Sequence, residues 1–230
     1  MLLELLLLTS CPIQKTYPKT HQNLRSQFGQ DAYINKQFKK NESGVYLDIG
    51  CNDGIDGSNT FYFYNKGWYG KCLEADPRTF DRIKINSQRL DGINIAVSQN
   101  ASKMQFMRIM DHNNGLSGLS KSMSQHDKAL WKRFSKVFVS VYTVPPKKLL
   151  HKYYNNYHII DFVSLDIEGS ELDVIKSWPF EKWCVRYFSI EDNNWCNSLT
   201  ILNTLKQIFI KHAYKHINSI GMDHIFSKKC

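Results

Sequence analysis

The 230-residue sequence has no internal repeat at a period of about 20–50 residues, which excludes solenoids and propellers. It has no apolar run of the roughly 20 residues that a membrane-spanning helix needs, so no transmembrane segment is expected. The leucine-rich start, residues 1–8, is too short to span and carries Glu4 where a signal peptide carries basic residues. Although Leu8-Thr9-Ser10-Cys11 has the shape of a lipoprotein cleavage box, a helical cap or a frayed end is the expected reading. There is no C-x-x-C pair and no histidine cluster at zinc spacing. The six cysteines, at 11, 51, 72, 184, 196 and 230, are scattered, which argues against a structural zinc site and a dense disulfide framework. Reduced thiols and a cytoplasmic location are the expectation. Acids are in deficit, 21 against 30 Lys plus Arg, leaving a formal charge of +9. That balance points toward acidic partners such as nucleic acid, nucleotide sugars or an anionic membrane, and speaks to encounter rather than to fold.

What is present is the material of a packed domain. A content of 42% hydrophobic and 13% aromatic residues excludes disorder. The length suits one core, since single cores stop growing near roughly 250–300 residues. Residues 1–25 are assigned to an N-terminal segment and 26–230 to one domain.

From residue 45 the chain alternates short apolar strands with helices. Strands are predicted over 45–49, 71–74, 93–97, 104–109, 137–144, 161–165 and 185–190. Helices are predicted over 60–66, 77–89, 125–136, 147–154, 170–177 and 199–210, with Pro77 at a first helical position, where proline is favoured. Residues 115–124 read as a loop. Strand–helix–strand at this spacing means parallel crossovers. The last two strands, around Gly221, are too close for a crossover and must be antiparallel.

The strongest motif is Asp48-Ile-Gly50-Cys-Asn52-Asp-Gly54 at the end of the first strand. Glycines there allow a tight turn and close approach of a ligand, and the next helix offers free N–H groups. Glu74 follows 20 residues after Gly54, at the next strand end, where a carboxylate accepts both hydroxyls of a ribose. The dinucleotide fingerprint is G-x-G-x-x-G, spaced for a pyrophosphate; here the pattern is D-x-G-x-N-x-G, whose Asp48 repels a pyrophosphate and suits an aminoacyl ammonium. S-adenosylmethionine is therefore favoured over a nicotinamide cofactor.

The stretches Ser26-Gln-Phe-Gly-Gln-Asp31, Tyr46–Gly54, Gly57-Ser-Asn-Thr60, Cys72-Leu-Glu-Ala-Asp-Pro77, Asn94-Ile-Ala-Val-Ser98, Gly115-Leu-Ser-Gly118, Val163-Ser-Leu-Asp-Ile-Glu-Gly-Ser-Glu171 and Asp223-His-Ile-Phe226 resemble the FkbM-type methyltransferases in order and spacing. The resemblance implies a Rossmann-like class I α/β fold, a seven-stranded, mostly parallel sheet with its last strand reversed and helices on both faces. It also implies methyl transfer from S-adenosylmethionine, usually to a hydroxyl of a sugar or another small metabolite. Carried over by position, Asp48, Gly50, Asn52 and Gly54 would line the methionine end, Glu74 the ribose, and Ala75, Asp76, Ala96, Val97 and Ser98 the adenosine. Asn59 is expected to cap the first helix.

Asp166, Glu168 and Glu191 follow strand ends, where ligands bind in such sheets, and are the candidate catalytic carboxylates. Glu171 reads as a first-turn acid favoured by the helix dipole. Asp192 stands where the family often has histidine, which removes a histidine base. Asp166 with Asp192-Asn193 offers oxygen ligands to a divalent metal, the less favoured alternative to capping of the next helix by Asn193 or Asn194. Lys128, Lys132, Arg133 and Lys136, with Lys147 and Lys148, suggest a basic roof over the acceptor, suited to an acidic small-molecule or glycan acceptor. The alternatives are an RNA 2′-O-methyltransferase, disfavoured because Glu191-Asp192-Asn193 stands where such enzymes place a lysine, and a non-catalytic binding module.

Overall fold

A computed structural model describes residues 16–19, 21–86, 89–110, 117–121, 134–193 and 199–230. The leucine-rich start, Cys11, Cys196, Asn194 and most of the helix predicted over 125–136 lie outside the described residues, and with them Lys128, Lys132 and Arg133.

The first strand, β1 (Val45–Ile49), is buried along its whole length, as a central parallel strand covered on both faces must be. After a turn and helix α2 (Phe61–Asn65), β2 (Tyr69–Glu74) pairs parallel to it. Helix α1 (Gln30–Asn35) precedes them, and α3 (Pro77–Asn86) leads to β3 (Gly92–Asn94) beside β2. On the other side of β1 come β8 (Ile159–Leu165) and β9 (Cys184–Glu191), both parallel, with α5 (Glu171–Lys176) between them. Helix α6 (Thr200–Lys211) then leads to β10 (Lys215–Ile220) and β11 (Asp223–Ser227). The final hairpin is antiparallel as predicted, and β11 inserts between β9 and β10, giving the seven-stranded order β10-β11-β9-β8-β1-β2-β3 with β11 alone reversed. This is the class I methyltransferase sheet.

Alternation along the strands feeds two cores. Tyr46 and Phe162 pack with Ile34 of α1 and Phe63 of α2, while Leu47 and Val163 pack on the opposite face with Leu149, Val174 and Leu205. Those three belong to α4 (Pro146–Tyr153), α5 and α6, so helices cover both faces. Among the described residues no helix is long and apolar enough to cross a membrane.

One predicted strand is two. Over 93–97 the chain pairs with β2 only as far as Asn94, and the Ile95 N–H still donates to the Glu74 carbonyl at 3.0 Å. It then crosses to a second sheet as β4 (Ala96–Val97), beside β7 (Lys136–Val144). That sheet runs β4-β7-β5-β6, with β5 (Lys103–Ile109) antiparallel to β7 and to β6 (Gly118–Leu119), a short pairing inside the stretch read as a loop.

The expectation of reduced thiols is overturned. Cys51 bonds Cys72, and Cys184 bonds Cys230. Neither pair forms a local motif; the partners lie 21 and 46 residues apart and meet only once β1 lies beside β2 and the chain end returns to β9. Closing loops of that size removes unfolded-chain entropy equivalent to about 3 and about 4 kcal/mol on the chain-entropy estimate. Denaturant unfolding of the C184S/C230S double variant should therefore show a free energy about 4 kcal/mol lower, and an unchanged midpoint would show that the bridge does not form in solution.

Candidate functional site

A cavity of about 610 Å³ opens where β1, β2, β8 and β9 end, a volume within the usual range for small-ligand sites. The loop after β1 forms its floor. Gly50 has φ 89°, and a Cβ there would lie 1.6 Å from the Asp166 carbonyl oxygen, so only glycine lets the β1 and β8 loops meet. Asn52, at φ 51°, also takes the left-handed conformation, which asparagine tolerates. Gly54, at φ 81°, closes the turn with its N–H on the Cys51 carbonyl; it shapes the wall from behind and does not line it.

Beneath this loop lies Arg89, whose side chain is fully buried. Its guanidinium donates to the Gly54 carbonyl at 3.0 Å, to Ser58 Oγ and Thr60 Oγ1 at 3.3 Å and to the Tyr46 hydroxyl at 3.2 Å. It also forms a two-pronged ion pair with Asp91, at 3.0 and 2.9 Å. No motif announced this residue.

Asp48 lines the cavity, yet its Oδ2 already accepts hydrogen bonds from Thr60 Oγ1 at 2.5 Å and Ser58 Oγ at 3.3 Å. Burial pushes its carboxyl above the ordinary range. The cap of α2 is not Asn59. Ser58 Oγ accepts the N–H groups of Thr60 and Phe61 instead, at 3.2 and 3.0 Å. Asn59 reaches across to Ser164 Oγ at 3.0 Å and Asp223 Oδ2 at 3.4 Å, leaving its own Oδ1 buried, on the cavity wall, without a donor.

Glu74 sits at the β2 end with Oε1 accepting the Asp76 N–H at 2.7 Å. Burial pushes its carboxyl up to about 8. Ala75, Ala96 and Val97 line the same side, joined by Phe106 and Leu119 from the second sheet, which sequence reasoning missed because β5 and β6 meet the cavity only through tertiary pairing. Asp76 is on the wall but is engaged by Arg108, whose Nε lies 2.8 and 3.0 Å from its two oxygens. Ser98 is not among the residues lining the cavity, and its N–H donates to the Val144 carbonyl.

At the opposite end the structure brings Asp166, Glu168 and Glu191 together, with one oxygen of each within 4.8 Å of the others. Glu168 has φ 58°, and the Glu171 carboxylate fixes the bend by accepting the N–H groups of Ile167 at 2.8 Å and Gly169 at 2.9 Å. Glu171 thus secures a loop, and burial pushes it up to about 7. Asn193 donates to Glu168 Oε2 at 2.8 Å rather than capping α6. Asp192 turns away toward His224, 3.4 Å distant, which corrects its proposed role beside Asp166; its place is taken by Glu191. Burial pushes Asp166 up to about 6 and Glu191 well above the carboxylate range, Asp166 adding to the latter by repulsion.

The N-terminal stretch buttresses this end. Ser26 bridges to Gly57, Gln27 lines the cavity, and Gln30 donates to Asp223 Oδ1 at 3.0 Å. Ser189 Oγ holds the other Asp223 oxygen at 2.6 Å.

The family model described as the methyltransferase FkbM domain matches residues 48–214, from the end of β1 to the residue before the final hairpin. The chain belongs to the FkbM methyltransferase family. No curated protein sequence matches it. Among solved structures it is similar to the methyltransferase FkbM from Methylobacillus flagellatus, at 12% identity and TM-score 0.47 over 81% of this chain and 44% of that one. This chain therefore spans under half of that protein's length. It is also similar to precorrin-6y C5,15-methyltransferase from Geobacter metallireducens, at 10% identity, TM-score 0.44 and coverage of 91% and 93%. A third is the N-terminal domain of human METTL16 in complex with SAH, at 14% identity, TM-score 0.41 and coverage of 95% and 75%. In this FkbM domain the matched segment includes every residue of both cavity ends named above except those of the N-terminal stretch, Asp223 and His224.

Proposed function

We propose that this FkbM domain is an S-adenosylmethionine-dependent O-methyltransferase acting on a hydroxyl of a neutral sugar, glycan or other small molecule. The observation that carries the reading is one cavity with Glu74 at one end and the Asp166–Glu168–Glu191 carboxylates at the other. The residues suit the cofactor. Glu74 would hold the ribose hydroxyls, and the donorless Asn59 Oδ1 on the same wall supplies an acceptor for the ammonium of the methionine end. When bound, adenosylmethionine supplies a methyl group already activated on a sulfonium sulfur. The chain's own part is to position the acceptor hydroxyl, to exclude water and to take the hydroxyl proton on an Asp166 carboxylate oxygen.

The described wall carries eight acids, Asp48, Asp53, Asp56, Glu74, Asp76, Asp166, Glu168 and Glu191, against one basic side chain, Arg82. Lys136, Lys147 and Lys148 are off that wall. A neutral hydroxyl acceptor fits this lining better than a phosphorylated one. Phe106 is the one aromatic side chain on the described wall, which gives little support to stacking of single-stranded bases. The two disulfides favour an oxidising compartment over the cytoplasm.

The test is incubation with isotope-labelled adenosylmethionine and mixtures of neutral and anionic acceptors. Label on a neutral hydroxyl compound supports the reading, and label found only on nucleic acid or phosphorylated acceptors overturns the acceptor class. Absence of saturable cofactor binding by calorimetry overturns the enzyme.

Glu74 makes the cofactor step pH-dependent. Its free carboxyl loses the proton near pH 8, and the ionised form is the better acceptor for ribose hydroxyls. Affinity for adenosylmethionine should thus rise with pH by up to about tenfold per unit from about pH 5.5 to about pH 7.5, below the range where an α-ammonium deprotonates. E74Q should bind weakly and without that slope; an unchanged slope would place the titration elsewhere.

A further inference from the structure

We infer that Asp166, Glu168 and Glu191 form a binding site for a hard divalent cation, of the Mg²⁺, Mn²⁺ or Ca²⁺ class, at the acceptor end of the cavity. Three carboxylates each bring one oxygen into a group no wider than 4.8 Å. That is the span of an oxygen shell whose members lie 2.0–2.6 Å from a central ion, to order of magnitude. Independently of the cluster's charge, Glu191 Oε2 is buried with no hydrogen-bond partner, in a residue only 5% exposed that lines the cavity. A buried acceptor without a donor costs about 1–3 kcal/mol, more when charged, and a ligand bearing positive charge removes that cost. Among the described residues no Lys, Arg or His forms an ion pair with Asp166 or Glu191. The ligand types exclude a thiolate-seeking metal, since all three are carboxylates. Asn193, donating to Glu168 Oε2 at 2.8 Å, orients that carboxylate from outside the group, as outer-shell partners do. All three residues line the cavity, so the shell is completed by water or by an acceptor oxygen. The purpose of the ion, to hold an acceptor hydroxyl, rests on the methyl-transfer reading; its binding does not.

The experiment is titration of the chelator-treated full chain with Mn²⁺, reading free Mn²⁺ by electron paramagnetic resonance, with adenosylmethionine binding measured on the same samples by calorimetry. One Mn²⁺ per chain, displaced by Mg²⁺ or Ca²⁺, is expected. E191Q and E168Q should each weaken Mn²⁺ binding more than about tenfold, because each removes one charged ligand, whereas D56N, a wall acid outside the group, should not. E168Q guards against a folding defect in E191Q, since Glu168 is partly exposed. Absence of saturable Mn²⁺ uptake, or uptake equal in wild type, E168Q and E191Q, overturns the site. Uptake by a chain that fails to bind adenosylmethionine supports the site and overturns the methyl-transfer reading; cofactor binding without uptake does the reverse.

Discussion

Replacing Arg89 by methionine should destabilise the protein by about 3–5 kcal/mol and abolish cofactor binding, although Arg89 does not line the cavity. The guanidinium is fully buried, which by itself disfavours its charge, but the Asp91 carboxylate beside it keeps it protonated. Methionine fills the volume and leaves Asp91, 8% exposed, as an uncompensated buried anion next to the Tyr46 hydroxyl. It also strips the Gly54 carbonyl, Ser58 and Thr60 of the donors that anchor the loop after β1. Lysine keeps the charge but not the planar fork, so R89K should recover only a minor part of the loss. Denaturant unfolding and calorimetric titration with adenosylmethionine check both effects. A loss below about 1 kcal/mol in R89M would mean that the loop is held by its own turns and not by the ion pair.

Arg89 also shows where a sequence stops being readable. The β1–α2–β2 unit was legible because its signals are local: a buried run, a glycine turn, a helix and an acid at the next strand end fall within 30 residues, Val45 to Glu74. The left-handed Gly50 and Asn52 follow from that motif. The parts that were misread depend on neighbours far along the chain. Asn59 looked like a cap because caps are chosen within three residues, and its actual partners, Ser164 and Asp223, lie 105 and 164 residues away. The disulfides escaped for the same reason, as did the departure of Ala96 and Val97 to a strand more than 40 residues further on. Asp192 and Glu191 are adjacent in sequence and point to opposite sides of a strand end, so one residue of register decided which carboxylate meets Asp166. Alternation fixes that choice only once the cavity side is known, and the cavity side is set by β1 and β8 together.

Asp166→Asn should lower turnover by about 10²–10⁴-fold, the usual contribution of a positioned proton acceptor, while adenosylmethionine affinity changes by less than about threefold. The pH profile carries the stronger test. In the metal-free chain burial holds the Asp166 proton up to about pH 6, so the rate measured with chelator should rise as pH rises through about 6 and then level, since only the carboxylate accepts a proton. D166N should remove that limb along with the rate. Glu191 supplies a second handle, because a hydrogen bond from its carboxyl oxygen other than Oε2 stabilises the ionised Asp166 and holds the limb down. Glutamine at 191 still donates and should leave the limb near its place, whereas alanine removes the donor and should move it upward. A purely positioning role for Asp166 predicts something different: a lower rate in D166N with the limb intact, because the titrating group would be elsewhere. Loss of the limb in D166N, together with its upward movement in E191A, therefore assigns the proton to Asp166, with Glu191 as the group that tunes it.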